Sequence, residues 1–256
     1  MPSSPKAFVW YELMTTDVDA AEDFYGTVVG WRGQAMDQPE MRYTVMSAGE
    51  KMVVGLMPVP EEALNMGAGP AWVGYIHADD IQAATDGVRQ AGGAVHREPA
   101  DIPNIGSFSV VADPQGAVFM LFQPSGGDDT PVPPMTLGHV GWHELYASDW
   151  KNAFEFYSGQ FGWTKGDALD MGPMGTYQLF AAGGDPIGGM MDKPEELPSP
   201  GWLFYFNVEA IDAAVQRVTD KGGQIVLGPM EVPGGAWIVQ GKDPQGATFA
   251  LVAPRR

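Results

Sequence analysis

The sequence predicts an α+β protein built as a tandem repeat, with a strand-helix-strands module used four times. Three observations carry this. Residues 10–31 return at 142–163 with nine of 22 positions identical, and residues 70–124 return at 200–254 with 19 of 55 identical. Within each half the strand-helix pattern restarts once. Between the halves, SGGDDTPVPP at 125–134 has the Gly, Asp and Pro content of a linker. The boundaries follow: a first domain over 1–124, a linker over 125–138 and a second domain over 139–256.

Each element has a local reason. Val9–Thr15 reads as a strand, and Asp17 caps a helix with apolar Val18, Ala21, Phe24, Tyr25 and Val28. Gly30 stands where a helix ends. Two short strands follow near 42–47 and 52–57. The pattern restarts with a strand over 72–78, a helix from Asp80 through Ile81, Ala84 and Val88, and a Gly92-Gly93 stop. Strands near 94–97, 107–112 and 117–122 close the module, the last two joined by the Asp113-Pro-Gln-Gly turn. The second half repeats this from Trp142, with helices from near Asp149 and Ala210.

Composition narrows the function. The 256 residues carry 14 Lys+Arg against 32 Asp+Glu, a net charge of −18, and no cysteine. The acid excess argues against nucleic acid and anionic membranes as partners. The missing thiols exclude disulfides, thiolate nucleophiles, zinc fingers and iron–sulfur clusters. No apolar run of 18 residues and no apolar leader is present, so a cytoplasmic location is expected. Phosphate-loop and G-x-S-x-G patterns are absent too.

The strand–Asp–helix openings, the Gly-Gly stops, the paired W-x-E-L segments and the two DPQGA hairpins resemble the vicinal oxygen chelate superfamily. That superfamily includes glyoxalase, bleomycin-resistance proteins and extradiol dioxygenases. The resemblance spans nearly the whole chain and is strongest to two-domain glyoxalase-like proteins. It implies glyoxalase-like domains in tandem, four βαβββ modules forming two cup-shaped sheets with helices outside. It also implies a monomer, since fusion supplies the pseudo-symmetry that single-domain relatives reach by pairing, a homodimer being the alternative.

Strand alternation then sorts the side chains. Trp10, Glu12 and Met14 face the cup, as do Trp142, Glu144 and Tyr146, whereas Tyr11, Leu13, His143 and Leu145 face the helices. His143 is thus expected to be a satisfied core histidine. On the inner strands Val73, Tyr75 and His77 face the cup, matched by Leu203, Tyr205 and Asn207. Metal-dependent members of the family carry His, Gln or Glu at four cup positions. The resemblance puts those at Trp10, near Leu56, at Val73 and at Met120, and at Trp142, near Met190, at Leu203 and at Ala250. None is a ligand for a hard divalent cation, so no metal and no other cofactor is expected.

The expected function is binding of a small apolar or aromatic molecule, lined by Trp10, Trp142, Tyr75, Tyr205, Asn207, Tyr146 and Met120. The alternative is a glyoxalase-like lyase or isomerase. It would be metal-dependent, or cofactor-free with Glu12 or Glu144 and His77 as acid–base groups. A carboxylate facing an apolar cup has its pKa raised by desolvation, which suits that role. Against it stands the reading that both glutamates are solvated or paired with an arginine such as Arg42.

Overall fold

The computed structural model describes residues 6–36, 42–65, 67–126 and 132–256. Residues 127–131 of the expected linker lie outside the described residues.

The first half runs β1 (Phe8–Thr15), α1 (Val18–Val28), β2 (Arg32–Met36), β3 (Tyr43–Ala48) and β4 (Lys51–Pro58), with a short α2 (Glu61–Asn65). It continues with β5 (Ala71–His77), α3 (Ile81–Gln90), β6 (Ala94–Ile102), β7 (Gly106–Ala112) and β8 (Val118–Pro124). The second half runs β9 (Val140–Ala147), α4 (Trp150–Phe161), β10 (Thr164–Asp170), β11 (Thr176–Ala181) and β12 (Gly188–Asp192). It ends with β13 (Gly201–Asn207), α5 (Ile211–Asp220), β14 (Gln224–Glu231), β15 (Trp237–Lys242) and β16 (Thr248–Ala253).

The strands form two open, mixed sheets of eight, ordered β2-β3-β4-β1-β5-β8-β7-β6 and β10-β11-β12-β9-β13-β16-β15-β14. The α+β tandem of βαβββ modules expected from the sequence is therefore the observed fold. Two strands exceed the expectation. All five residues of β2 are exposed, so it has no alternation to read. β6 runs on to Ile102 through two register shifts, where bulges interrupt the two-residue period.

Helix starts match their caps. Asp17 and Asp80 each accept from the backbone N–H three residues on, and Asp149 accepts from Lys151 and Asn152. The Gly-Gly stops divide two duties. Gly92 has φ +88° and Gly222 φ +79°, which L side chains rarely adopt. Gly93 and Gly223 are close approaches: a β-carbon at Gly93 would lie 2.6 Å from Val88 Cγ1, and one at Gly223 2.8 Å from a Phe24 ring carbon.

By packing, the chain divides into two units, each with one module from either half. Among the described residues, the first comprises 6–10, 73–126 and 143–202, the second 11–36, 42–65, 67–72, 132–142 and 203–256. In the first, α3 and α4 cover a core that includes Phe119, Tyr157, Trp163 and Phe180. In the second, Phe24, Tyr25, Trp31, Trp72, Phe206 and Phe249 meet in edge-to-face and offset contacts.

Both units contain one hydrogen-bonded triad. Trp202 Nε1 donates to Tyr157 Oη (3.1 Å), whose hydroxyl donates to Asp113 (3.3 Å). Trp72 Nε1 donates to Tyr25 Oη (2.9 Å), which donates to Asp243 (3.1 Å). The other oxygen of each aspartate closes the DPQGA turn by accepting from two backbone N–H groups. The repeated Trp, Tyr and DPQGA are thus one polar network in an aromatic core.

Tyr157→Phe strips a partner from both Trp202 and Asp113, so a loss of about 1–3 kcal/mol is expected in urea denaturation. Burial holds both aspartates above the usual 3.8, partly offset by their donors. A raised carboxyl supports the fold fully below 3.8 and loses that support as the pH rises through its folded value. Asp113→Asn with Asp243→Asn should therefore flatten the fall in denaturation midpoint above about pH 4; an unchanged slope would contradict it.

Candidate functional site

The site is built on the sheet faces turned away from the helices, and it appears once in each unit. In β1, Leu13 is fully buried on the helix side, so the period of two turns Glu12 to the opposite face. Glu12 is 4% exposed and lies in register with Gly55 of the parallel strand β4. Tyr43 of β3 sits two residues from Val45, which opposes Gly55, so its ring lies diagonally over the glycine. A β-carbon at Gly55 would collide with the Tyr43 hydroxyl, and would lie 2.6 Å from Cζ and 3.1 Å from Glu12 Oε1.

The other unit repeats this arrangement. Leu145 is fully buried, Glu144 is 6% exposed, and Glu144 pairs in register with Gly189 of β12. Tyr177 of β11 crosses over Gly189, where a β-carbon would lie 2.6 Å from its hydroxyl oxygen. That hydroxyl donates to Glu144 Oε2 at 2.9 Å. Each unit therefore holds a buried carboxylate and a part-exposed phenol that both approach one strand position which only glycine leaves clear.

The solvated reading of both glutamates is corrected by their burial, and Arg42 pairs with Asp19 instead. Sequence reasoning missed Tyr43, Tyr177, Gly55 and Gly189. At an offset of 134, Tyr43 meets Tyr177, Gly55 meets Gly189 and Met57 meets Met191. Comparing the halves across that insertion finds the constellation.

The other candidates are distributed as follows. Tyr75 is 5% exposed, paired in register with Met120 and edge-on to Phe122 at 6.1 Å. Tyr205 is 2% exposed and its hydroxyl accepts from Gln240 at 2.8 Å. Trp10, Trp142 and Tyr146 are part-buried. Asn207 serves the structure, because its side-chain amide donates to Thr136 O (3.0 Å) and its backbone N–H to His139 O, tying down the end of the linker. His77 is part-buried, with Nδ1 3.7 Å from Asp79 Oδ1, and Asp79 also pairs with Lys6.

His143 is the core histidine that strand parity implies. It is 7% exposed and stacks on Phe8 at 4.6 Å, and its Nδ1 lies 2.7 Å from Ile187 O. Facing a carbonyl, Nδ1 carries the proton. Burial pulls the imidazole pKa down to about 4.

At the family's metal positions the donor set does not fit. Leu56 and Met190 pair in register with Leu13 and Leu145, so they face the helices, and the opposite-face neighbours are Gly55, Met57, Gly189 and Met191. Val73, Met120, Leu203 and Ala250 are buried and apolar. Among the described residues no three His, Asp or Glu side chains stand together to hold an ion. A groove of about 620 Å³ lies elsewhere in the second unit, along α1 and β2, where Asp19 is engaged by Arg42 and Asp23 by Lys221. Among the described residues no helix is long and apolar enough to cross a membrane.

The fold agrees with what the chain is similar to. The model of the Glyoxalase/Bleomycin resistance protein/Dioxygenase superfamily matches residues 7–121 and 136–251. A Mycobacterium tuberculosis protein named as a glyoxylase, CFP32, is 30% identical over 247 residues, covering 96% of this chain and 94% of its own. The anthracycline biosynthesis protein DnrV of Streptomyces peucetius is 30% identical over 267 residues, covering 98% and 94%. The Mn(II)-bound glyoxalase of Novosphingobium aromaticivorans superposes with TM-score 0.67 at 18% identity, over 98% of this chain and 83% of that one. That last likeness is one of fold. With two repeats matched and two relatives aligned almost end to end, the chain belongs to the Glyoxalase/Bleomycin resistance protein/Dioxygenase superfamily.

Proposed function

We propose that this protein binds a small, largely apolar or aromatic molecule on the sheet faces turned away from its helices, without a resident metal ion. One observation carries the reading. Those faces are apolar where the family's metalloenzymes place their ligands, yet each retains a buried glutamate and a part-exposed tyrosine that approach the same glycine, as polar anchors. A relative at 30% identity named for anthracycline biosynthesis makes a polycyclic aromatic the first class to try. The acid surplus favours a cationic member of that class.

The test is titration with anthraquinones and anthracyclines in a chelating buffer, read by quenching of the eight tryptophans and by thermal unfolding. Ligand at one hundred times Kd adds about 2.7 kcal/mol of stability, a rise of a few degrees in Tm. A flat response across the panel sinks the proposal.

A second reading is cofactor-free lyase or isomerase chemistry, favoured by the 2.9 Å contact of the Tyr177 phenol with Glu144 and by the glyoxylase name of a relative. Glutamate would act as base and the phenol as proton donor. It requires that any turnover of carbonyl compounds collapse in Glu12→Gln with Glu144→Gln while the fold persists. Turnover that survives removes it.

A further inference from the structure

We infer that the first unit binds small aliphatic primary amines in a groove between α4 and the end of α3, with the Glu155 carboxylate holding the ammonium. The groove lies on the helix side of the sheet, so it is separate from the binding proposed for the opposite faces.

The groove has a volume of about 540 Å³, and Ala91, Pro114, Gln115, Glu155, Phe156 and Gly159 are among the residues that line it. Pro114, Ala91 and Phe156 supply apolar surface along which an alkyl stem can lie. Most of its polar groups are already engaged. Gln115 Nε2 donates to Asp149 O (2.7 Å), and Gln115 Oε1 accepts from the Asp149 backbone N–H (2.8 Å). The Asp149 carboxylate caps α4 and accepts from the Asn152 side chain. Glu155 is exposed, and among the described residues it forms no ion pair. Lys151, one turn before it, holds its ammonium 5.7 Å from the centre of the Trp150 ring instead.

The second unit shows what occupies the corresponding place. At repeat offsets of 132 and 130, Glu155 meets Asp23, Phe156 meets Phe24, Ala91 meets Lys221 and Gly87 meets Arg217. There Lys221, the residue that caps the end of α5, reaches Asp23 Oδ2 at 2.8 Å. Arg217 donates to Val28 O at 3.1 and 2.9 Å. Both cations are missing from the first unit, because Ala91 and Gly87 have no side chain to reach across, while the carboxylate and the apolar wall remain. A ligand with an ammonium on a four-carbon stem restores the contact that Lys221 makes within its own unit. An ion pair this open to water is worth about fivefold in affinity.

The experiment titrates the whole chain with n-butylamine at low ionic strength, with neutral N-butylacetamide as the control, and follows the backbone amides by proton–nitrogen correlation NMR. Saturating shifts are expected at Ala91, Gln115, Glu155, Phe156 and Gly159, with the acetamide about fivefold weaker. Glu155→Gln should weaken the amine by about the same factor and leave the acetamide unchanged. Ala91→Lys should place an ammonium in the groove and abolish the saturating shifts. Lys221→Ala should open the matching place and add a second set at Asp23, Phe24 and Thr27. Shifts that spread over the acidic surface without saturating, equal binding of the two probes, or an affinity unmoved by Ala91→Lys overturns the inference. So does a Lys221→Ala variant without the second set.

Discussion

Acidification from pH 7 to pH 4 is expected to cost the protein about 3 kcal/mol through His143 alone. The imidazole is stacked on Phe8 and bonded to Ile187 O in the interior of the first unit, and burial lowers its pKa from 6.5 to about 4. The unfolded chain binds a proton there near 6.5 while the folded chain refuses it until about 4. Stability therefore falls as the pH drops through that window, at about 1.4 kcal/mol per unit. Asp113 and Asp243 act in the opposite sense, so the histidine must be isolated by substitution. His143→Asn keeps a donor for Ile187 O and cannot titrate. In urea denaturation the stability gap between the parent and this variant should shift by about 3 kcal/mol against the parent between pH 7 and pH 4. Parallel profiles would show that His143 is solvated or already charged.

Trp163→Ala is expected to be the most damaging single truncation in the same unit, at about 3–5 kcal/mol. The indole is 1% exposed and lies between two rings, stacked on Phe180 at 4.6 Å and on Tyr157 at 5.1 Å, with its N–H donating to Lys6 O. Truncation opens a cavity that aromatic neighbours cannot close, and it loosens the tyrosine that bridges Trp202 and Asp113. Trp163→Phe keeps one ring and forfeits the indole hydrogen bond, so about 1–2 kcal/mol is expected. Guanidinium denaturation checks both, and a loss below 1 kcal/mol for the alanine variant would contradict the core assignment.

The architecture was legible because duplication doubles every signal. Asp17, Asp80 and Asp149 cap helices as read, and the parity that turned Leu13 and Leu145 inward is the parity observed. What escaped had physical causes. β2 is exposed along its length, so no alternation marks it. The DPQGA motif read as a turn, and only packing shows that its aspartate also accepts from a tyrosine on a helix of the other half. Glu12 and Glu144 were found by strand parity, but their partners come from other strands and depend on glycines whose meaning is a collision avoided. Asn207 read as a ligand contact because parity reports the face of a strand and not the loop that closes over its end.

Native mass spectrometry of the purified protein, with Mn²⁺, Zn²⁺ or a chelator and with an anthracene probe in each sample, tests metal-free binding most directly. Side chains at the family's ligand positions are Trp, Val, Met, Leu and Ala, so no stoichiometric ion should be retained and the probe adduct should be the same in all three. An ion held in fixed stoichiometry, stripped by the chelator together with the probe adduct, would contradict it.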